Sequence, residues 1–210
     1  MSTLPVSCRP LDPRHLDEFL AFADSEAFAD NPAWEGCYCV FSYVSPDARQ
    51  PFDPRAAAEN RALLTRLVQT RAGRWVLAYW GPQVVGWVNA DLLSRLPRYH
   101  DWGALEPGET GVVTCFVVHP LLRRRGIARQ LLAAAVEDLR ERGAARVEAW
   151  VLTHPEATSA DSFAYDQRAY RGPLPLYLDQ GFTVVEQNAE STRVRLAFTS
   201  MPRGGEAEGP

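Results

Sequence analysis

Residues 112–128, VVTCFVVHPLLRRRGIA, constrain the fold more than any other stretch, because an apolar strand runs into a glycine turn at the mouth of a helix. Val112 to Val118 are apolar or β-branched apart from Cys115, which reads as a strand buried on both faces, and Pro120 stops it. Beyond the turn, Ile127, Leu131, Leu132, Ala135, Val136 and Leu139 recur at helical spacing until Gly143 ends the helix. The first turn of such a helix has N–H groups with no intrahelical partner and the positive end of the macrodipole, so it accepts an anion, a diphosphate in particular. Gly126 and Ala128 are small enough to leave those amides uncovered, and Arg123, Arg124 and Arg125 add positive charge. Three arginines at a helix start oppose the macrodipole, a penalty that a bound polyanion reverses. Taken alone, this arginine-rich turn reads more simply as a solvated face, so its context decides.

Composition narrows the classes. A chain of 210 residues with 46% hydrophobic and 23% charged residues suits one soluble globular domain. No apolar run reaches the length of a membrane span and the N-terminus lacks a secretion pattern, so a cytoplasmic location is expected. The formal net charge of −4 argues against a general nucleic-acid binder and suits a cationic substrate. All 22 basic residues are arginine, which excludes Schiff-base catalysis by a lysine of this chain. Cys8, Cys37, Cys39 and Cys115 lack zinc spacing and the four histidines are scattered, so no metal is expected.

Along the chain, residues 4–9 read as an opening strand, and Asp12-Pro13 caps a helix to about Ala23. Asp53-Pro54 repeats the device ahead of a helix from Ala56 to Arg71. Trp75–Trp80 and Val84–Ala90 form a hairpin around Gly81-Pro82, Arg146 to Leu152 a further strand, and 182–186 and 193–198 a last hairpin. Between these lie three irregular segments: the aromatic-rich stretch around Trp34 to Tyr43, the connection 91–109 and the loop 153–173.

Arg123, Gly126 and Ala128 after Val118-His119-Pro120, followed downstream by Leu176-Tyr177 and Gly181-Phe182, resemble the signature of the GNAT superfamily of acyl-CoA-dependent N-acyltransferases. The likeness is strong over 110–185 and architectural over 1–105. It implies an α/β (α+β) GNAT fold, a mixed, mostly antiparallel sheet of about seven strands, splayed between the fourth and fifth and flanked by helices. One domain over 1–200 is expected, with a disordered tail at 201–210.

The resemblance also implies a reaction. An acetyl or other short acyl group passes from acyl-CoA, as co-substrate, to a primary amine of a small molecule by direct attack in a ternary complex. Phe116, Val117 and Val118 would meet the pantetheine arm, and Arg123, Arg124, Arg125, Gly126, Ile127, Ala128 and Arg129 the diphosphate. An N–H within Cys115 to Val118, foremost that of Val117, would stabilise the oxyanion, and Tyr177 would protonate the leaving sulfur. Glu148 and Glu109 are the carboxylates expected nearest the thioester and stand as candidate bases. His119 is assigned a structural role, and Cys115 is a poor acyl carrier on a central apolar strand. The asparagine that the family often carries near position 169 is absent, and Pro173 and Pro175 imply that the tyrosine's helix begins near 173. Trp34, Tyr38, Tyr99, Trp102, Tyr165 and Tyr170 could wall an amine, with Glu35, Asp91, Asp161 and Asp166 as counter-charges. Two other readings keep the fold: a transferase whose donor is an acyl- or aminoacyl-tRNA or a carrier protein, and a noncatalytic acyl-CoA sensor. A homodimer is left open.

Overall fold

A computed structural model describes residues 3–45, 57–99, 107–153, 169–189 and 191–198. The expectations on Asp53-Pro54, His100, Trp102, Asp161, Tyr165, Asp166 and the 201–210 tail lie outside these residues. The Asp12 carboxylate accepts the Arg14 N–H at 3.0 Å and starts a 3-10 turn, Pro13–His15, that runs into helix α1, Leu16–Ala23. The aromatic-rich stretch becomes two 3-10 turns, Pro32–Trp34 and Val40–Tyr43, joined through left-handed backbone at Tyr38 and Cys39. Helix α2 is Ala57–Gln69, α3 is Ile127–Glu141, and α4, Leu174–Leu178, starts from Pro173 as the two prolines implied.

Seven strands make one sheet: β1 Ser7–Pro10, β2 Trp75–Trp80, β3 Gln83–Leu92, β4 Thr110–Val118, β5 Arg146–Leu152, β6 Thr183–Gln187 and β7 Ser191–Ala197. Their spatial order is β1-β2-β3-β4-β5-β7-β6, and every neighbouring pair is antiparallel except β4 with β5. That parallel ladder runs only from Thr110 opposite Arg146 to Val113 opposite Ala149. Beyond it β4 stays on β3 as far as Val118 while β5 follows β7 to Leu152, so the two central strands part. The implied splay is therefore present between the fourth and fifth strands.

The parting coincides with a β-bulge. Asn89 pairs with Cys115 and Ala90 with Val113, which leaves Thr114 as an extra residue on β4. A bulge bends its strand and raises the local twist. Thr114 Oγ1 donates to Asn89 Oδ1 at 2.6 Å, and the Asn89 amide donates to the Arg74 carbonyl at 2.7 Å and to the Tyr43 hydroxyl at 3.0 Å. The bulge is thus pinned by buried, satisfied polar groups rather than left to packing.

Each sheet face carries its own core. Ile127, Leu131, Leu132, Ala135 and Leu139 of α3 cover Val76, Val88, Val113, Val147 and Ala149. On the opposite face α1 and α2 bury Trp75, Leu77 and Trp87, with Phe19, Phe22 and Phe28 edge-on to the Trp87 ring. The cores are tied together at the C-terminal end of α3, where Arg142 bonds the wholly buried Asp91, which also accepts from Tyr43 at 3.1 Å. Arg142→Met would leave that carboxylate with a reduced set of donors, and the expected cost is about 3 kcal/mol of unfolding free energy in urea titration. Adding Asp91→Asn should recover part of the loss.

Candidate functional site

The turn before α3 is built from the sequence upward. The His119 ring accepts the Leu121 N–H at 3.2 Å and starts the 3-10 turn Pro120–Leu122, while its other nitrogen meets Glu26 at 2.9 Å and its face stacks on Phe22. Those contacts give His119 the structural role expected of it. Arg124 (φ 64°) and Gly126 (φ 78°) then adopt left-handed backbone, swinging the chain so that α3 begins with no side-chain cap. Gln130 N–H donates to the Gly126 carbonyl at 3.3 Å, so the amides of Ile127, Ala128 and Arg129, one turn earlier, are the orphan donors. The N-terminal segment braces the turn from outside, with Leu4 N–H on the Arg125 carbonyl at 2.9 Å and Gln130 on the Leu4 carbonyl at 2.8 Å.

The arginines divide in their engagements. Arg123 makes a two-pronged ion pair with Asp30 and donates from Nε to the Val118 carbonyl at 3.3 Å. Arg129 turns to Asp179, next to α4. Arg124 and Arg125 are exposed, and Arg124 lines a cleft of about 250 Å³. Arg124, Gly126 and Ala128 stand at one end of that cleft, Phe116, Val117 and Val118 form one side, and Phe28, Asp30 and Asn31 form the other. At the far end Trp34 and Tyr170 meet edge to face, 5.2 Å between ring centres.

Register decides which backbone groups of β4 reach the cleft. Hydrogen-bonded and non-hydrogen-bonded pairs alternate along an antiparallel ladder. His119 N–H donates to the Val85 carbonyl at 2.9 Å, so Val117 opposite Trp87 and Cys115 opposite Asn89 spend their backbone groups on β3. Phe116 and Val118 are left facing the gap, consistent with Arg123 bonding the Val118 carbonyl. The expectation for the Val117 N–H is corrected accordingly: the open donors belong to its neighbours.

Tyr177 is wholly buried and donates to the Arg171 carbonyl at 2.6 Å, with Phe182 and Phe116 edge-on to its ring. Burial pushes its phenol above the ordinary tyrosine value. It stands behind Gly172, a cleft residue with φ 81° at which a Cβ would come within 2.9 Å of Leu176 and 3.3 Å of Tyr177.

Neither expected carboxylate lies beside the gap-facing groups. Glu109 precedes β4 and accepts the Thr110 N–H at 3.1 Å; at a strand rise of about 3.3 Å per residue it is some 26 Å along the strand from Val117. Glu148 sits opposite Val112, about 16 Å from Val117 on the same measure, and is buried. Its Oε1 receives Arg195 Nη2 at 2.6 Å and its Oε2 has Arg193 at 3.6 Å. Arg146 adds a third guanidinium at 3.9 Å, so the Glu148 carboxylate ties β5 to β7.

The cysteines also group unexpectedly. The free thiols of Cys37, Cys39 and Cys115 are neighbours, and Cys39 accepts the Trp87 indole N–H at 3.3 Å. The hydrogen bond to Cys39 and then burial raise the Cys37 thiol, and burial first raises Cys39, so both stay protonated. Among the described residues no group of three His, Cys, Asp or Glu is placed to hold a metal ion, and no helix is long and apolar enough to cross a membrane. The Asp30–Asn31 wall was not legible in sequence, since nothing local marks an aspartate as the partner of an arginine 93 positions away.

Comparison with known proteins agrees with this architecture. The acetyltransferase (GNAT) family matches residues 34–164. Curated proteins give no match. Among solved structures, the GNAT domain of S. lividans PAT is similar at 19% identity and a TM-score of 0.54, over 92% of this chain and 90% of that one. An N-acetyltransferase from Staphylococcus aureus Mu50 is similar at 15% identity and 0.53, over 92% and 98%. The PaiA N-acetyltransferase from Thermoplasma acidophilum, in complex with coenzyme A, is similar at 11% identity and 0.51, over 92% and 99%. At these identities the likeness establishes the fold.

The cleft wall formed by residues 170–173 depends on the one position where a side chain has neither room nor a relaxed backbone. Gly172→Ala is expected to lower stability by about 1–2 kcal/mol in urea titration.

Proposed function

This chain belongs to the acetyltransferase (GNAT) family, and on that premise we propose that it transfers an acetyl or other short acyl group from acyl-CoA to a primary amine of a small molecule. One observation carries the reading: the gap-facing edge of β4 and the uncapped start of α3 lie along a single cleft. Together they match a ligand with a diphosphate at one end and an amide-bearing arm at the other. The α3 amides with Arg124 and Arg125 receive the phosphates, and Phe116 and Val118 pair with the arm as a neighbouring strand would.

Transfer from a thioester to an amine requires a neutral nucleophile, a stabilised oxyanion and a proton for the departing thiolate. We assign the oxyanion to the Phe116 N–H, the gap-facing donor nearer Tyr170. Tyr177 supplies the proton: rotation about its Cζ–Oη bond turns the hydrogen away from the Arg171 carbonyl without moving the ring. The proton that the attacking amine gives up as the C–N bond forms and the C–S bond breaks restores the phenol. The same burial that raises the phenol also destabilises a thiolate beside it, so the transfer is not opposed by the shift alone. Trp34 and Tyr170 close the acyl end of the cleft and favour short chains. Glu148 and Glu109 hold β5, β7 and the start of β4 in place. The acyl group passes directly to the amine, because the Cys37 and Cys39 thiols stay protonated and Cys115 sits on a central apolar strand.

A thiol-release assay with acetyl-CoA and a panel of amines tests the activity itself. Gly126→Glu should weaken CoA binding by about 100-fold or more in calorimetry while circular dichroism stays native, since a Cβ at this left-handed position presses on Thr3 at 3.0 Å and adds a negative charge at the start of α3, where the phosphates are received. Unchanged affinity in the folded variant would sink the diphosphate assignment. Tyr177→Phe should lower turnover by about 100-fold and leave CoA affinity within about twofold. Normal turnover would hand the proton to water or another donor.

A further inference from the structure

Asn31 is 8% exposed and lines the cleft on the wall facing β4. Its backbone is fully used: the N–H donates to the Phe28 carbonyl at 2.8 Å and the carbonyl accepts the Trp34 N–H at 3.0 Å. Its carboxamide is not. The residue precedes the 3-10 turn Pro32–Trp34 in the capping position, yet its side chain makes no cap bond and takes no hydrogen bond from any described residue. Its oxygen and nitrogen are not among the buried polar atoms that lack a partner, so its two donors and its acceptor stay open to whatever occupies the cleft.

Its neighbours fix where along the cleft it stands. Asp30, one residue earlier, is locked to Arg123, whose Nε reaches the Val118 carbonyl. Trp34, three residues later, meets Tyr170 at the acyl end. Asn31 therefore lies between the diphosphate turn and the aromatic pair, across from the gap-facing groups of Phe116 and Val118. A ligand arm laid against β4 uses one side of each of its amides on that strand and turns remaining polar groups toward the opposite wall. We propose that the Asn31 carboxamide is the second binding surface for the amides of the pantetheine arm, gripping from the α1 side what β4 pairs from the other. The assignment rests on the acyl-CoA reading above.

The test is calorimetry of the full chain with two probes. CoA carries the arm; 3′-phospho-ADP keeps the nucleotide and diphosphate and lacks it. Asn31→Ala, and Asn31→Leu as a variant that keeps the volume filled, should each weaken CoA by about tenfold and leave 3′-phospho-ADP within about twofold of wild type. If both variants bind CoA as wild type does, Asn31 does not touch the arm. If both probes weaken in step, the residue acts through the Asp30–Arg123 pair and the proposal is overturned. A wild-type protein that binds neither probe would overturn the acyl-CoA reading itself, a result that the variants cannot mimic.

Discussion

Parallel pairing between β4 and β5 stops at Val113 and Ala149, and the backbone groups beyond that point need partners that no strand supplies. The bulge at Thr114 is what turns β4 away, and the Thr114–Asn89 bond at 2.6 Å holds the bulge. Asn89 in turn bonds Arg74 and Tyr43, and Tyr43 bonds Asp91, which Arg142 of the α3 C-terminus anchors. The opening between the strands is thus continuous with a buried polar network. Loosening that network would be felt in the cleft as well as in the stability of the fold.

The cleft has one rigid side and one jointed side. β4 and the start of α3 belong to the sheet and its covering helix, so the positions of their donors are set by the β3–β4 ladder and the helix backbone. The facing wall, residues 27–34, is fastened by side chains: Asp30 to Arg123, Glu26 to His119, Trp34 to Tyr170. Asp30 and Arg123 are each about a quarter exposed, so that pair contributes roughly 1 kcal/mol, enough to hold a loop and little enough to yield. The pairing also removes Arg123 from the set of unneutralised cations at the turn, leaving Arg124 and Arg125 as the exposed ones.

Side-chain periodicity and turn chemistry are local, which is why so many elements were legible. The helical spacing from Ile127 to Leu139, the Asp12-Pro13 cap and the two prolines that delay α4 to Leu174 all act within a turn or two of themselves. Gly126 marked the turn before α3 for the same reason, whereas the left-handed backbone of Arg124 at φ 64° was unmarked, because arginine carries no such preference. The surroundings of the candidate base Glu148 were not legible in the same way, because Arg195 lies 47 positions away and reaches it only through the β5–β7 ladder.

By itself, then, the sequence determined the order of strands and helices, the glycine turn into α3 and the late helix bearing Tyr177, because each follows from residues in contact with near neighbours. Only the tertiary structure decided which amides of β4 face the gap, since that depends on the phase of the β3–β4 ladder and on a bulge no local pattern marks. It alone also joined Asp30 to Arg123, gathered Cys37, Cys39 and Cys115, and surrounded Glu148 with arginines. Those pairings link residues far apart in the chain, where packing and the need to satisfy buried charge set the partner.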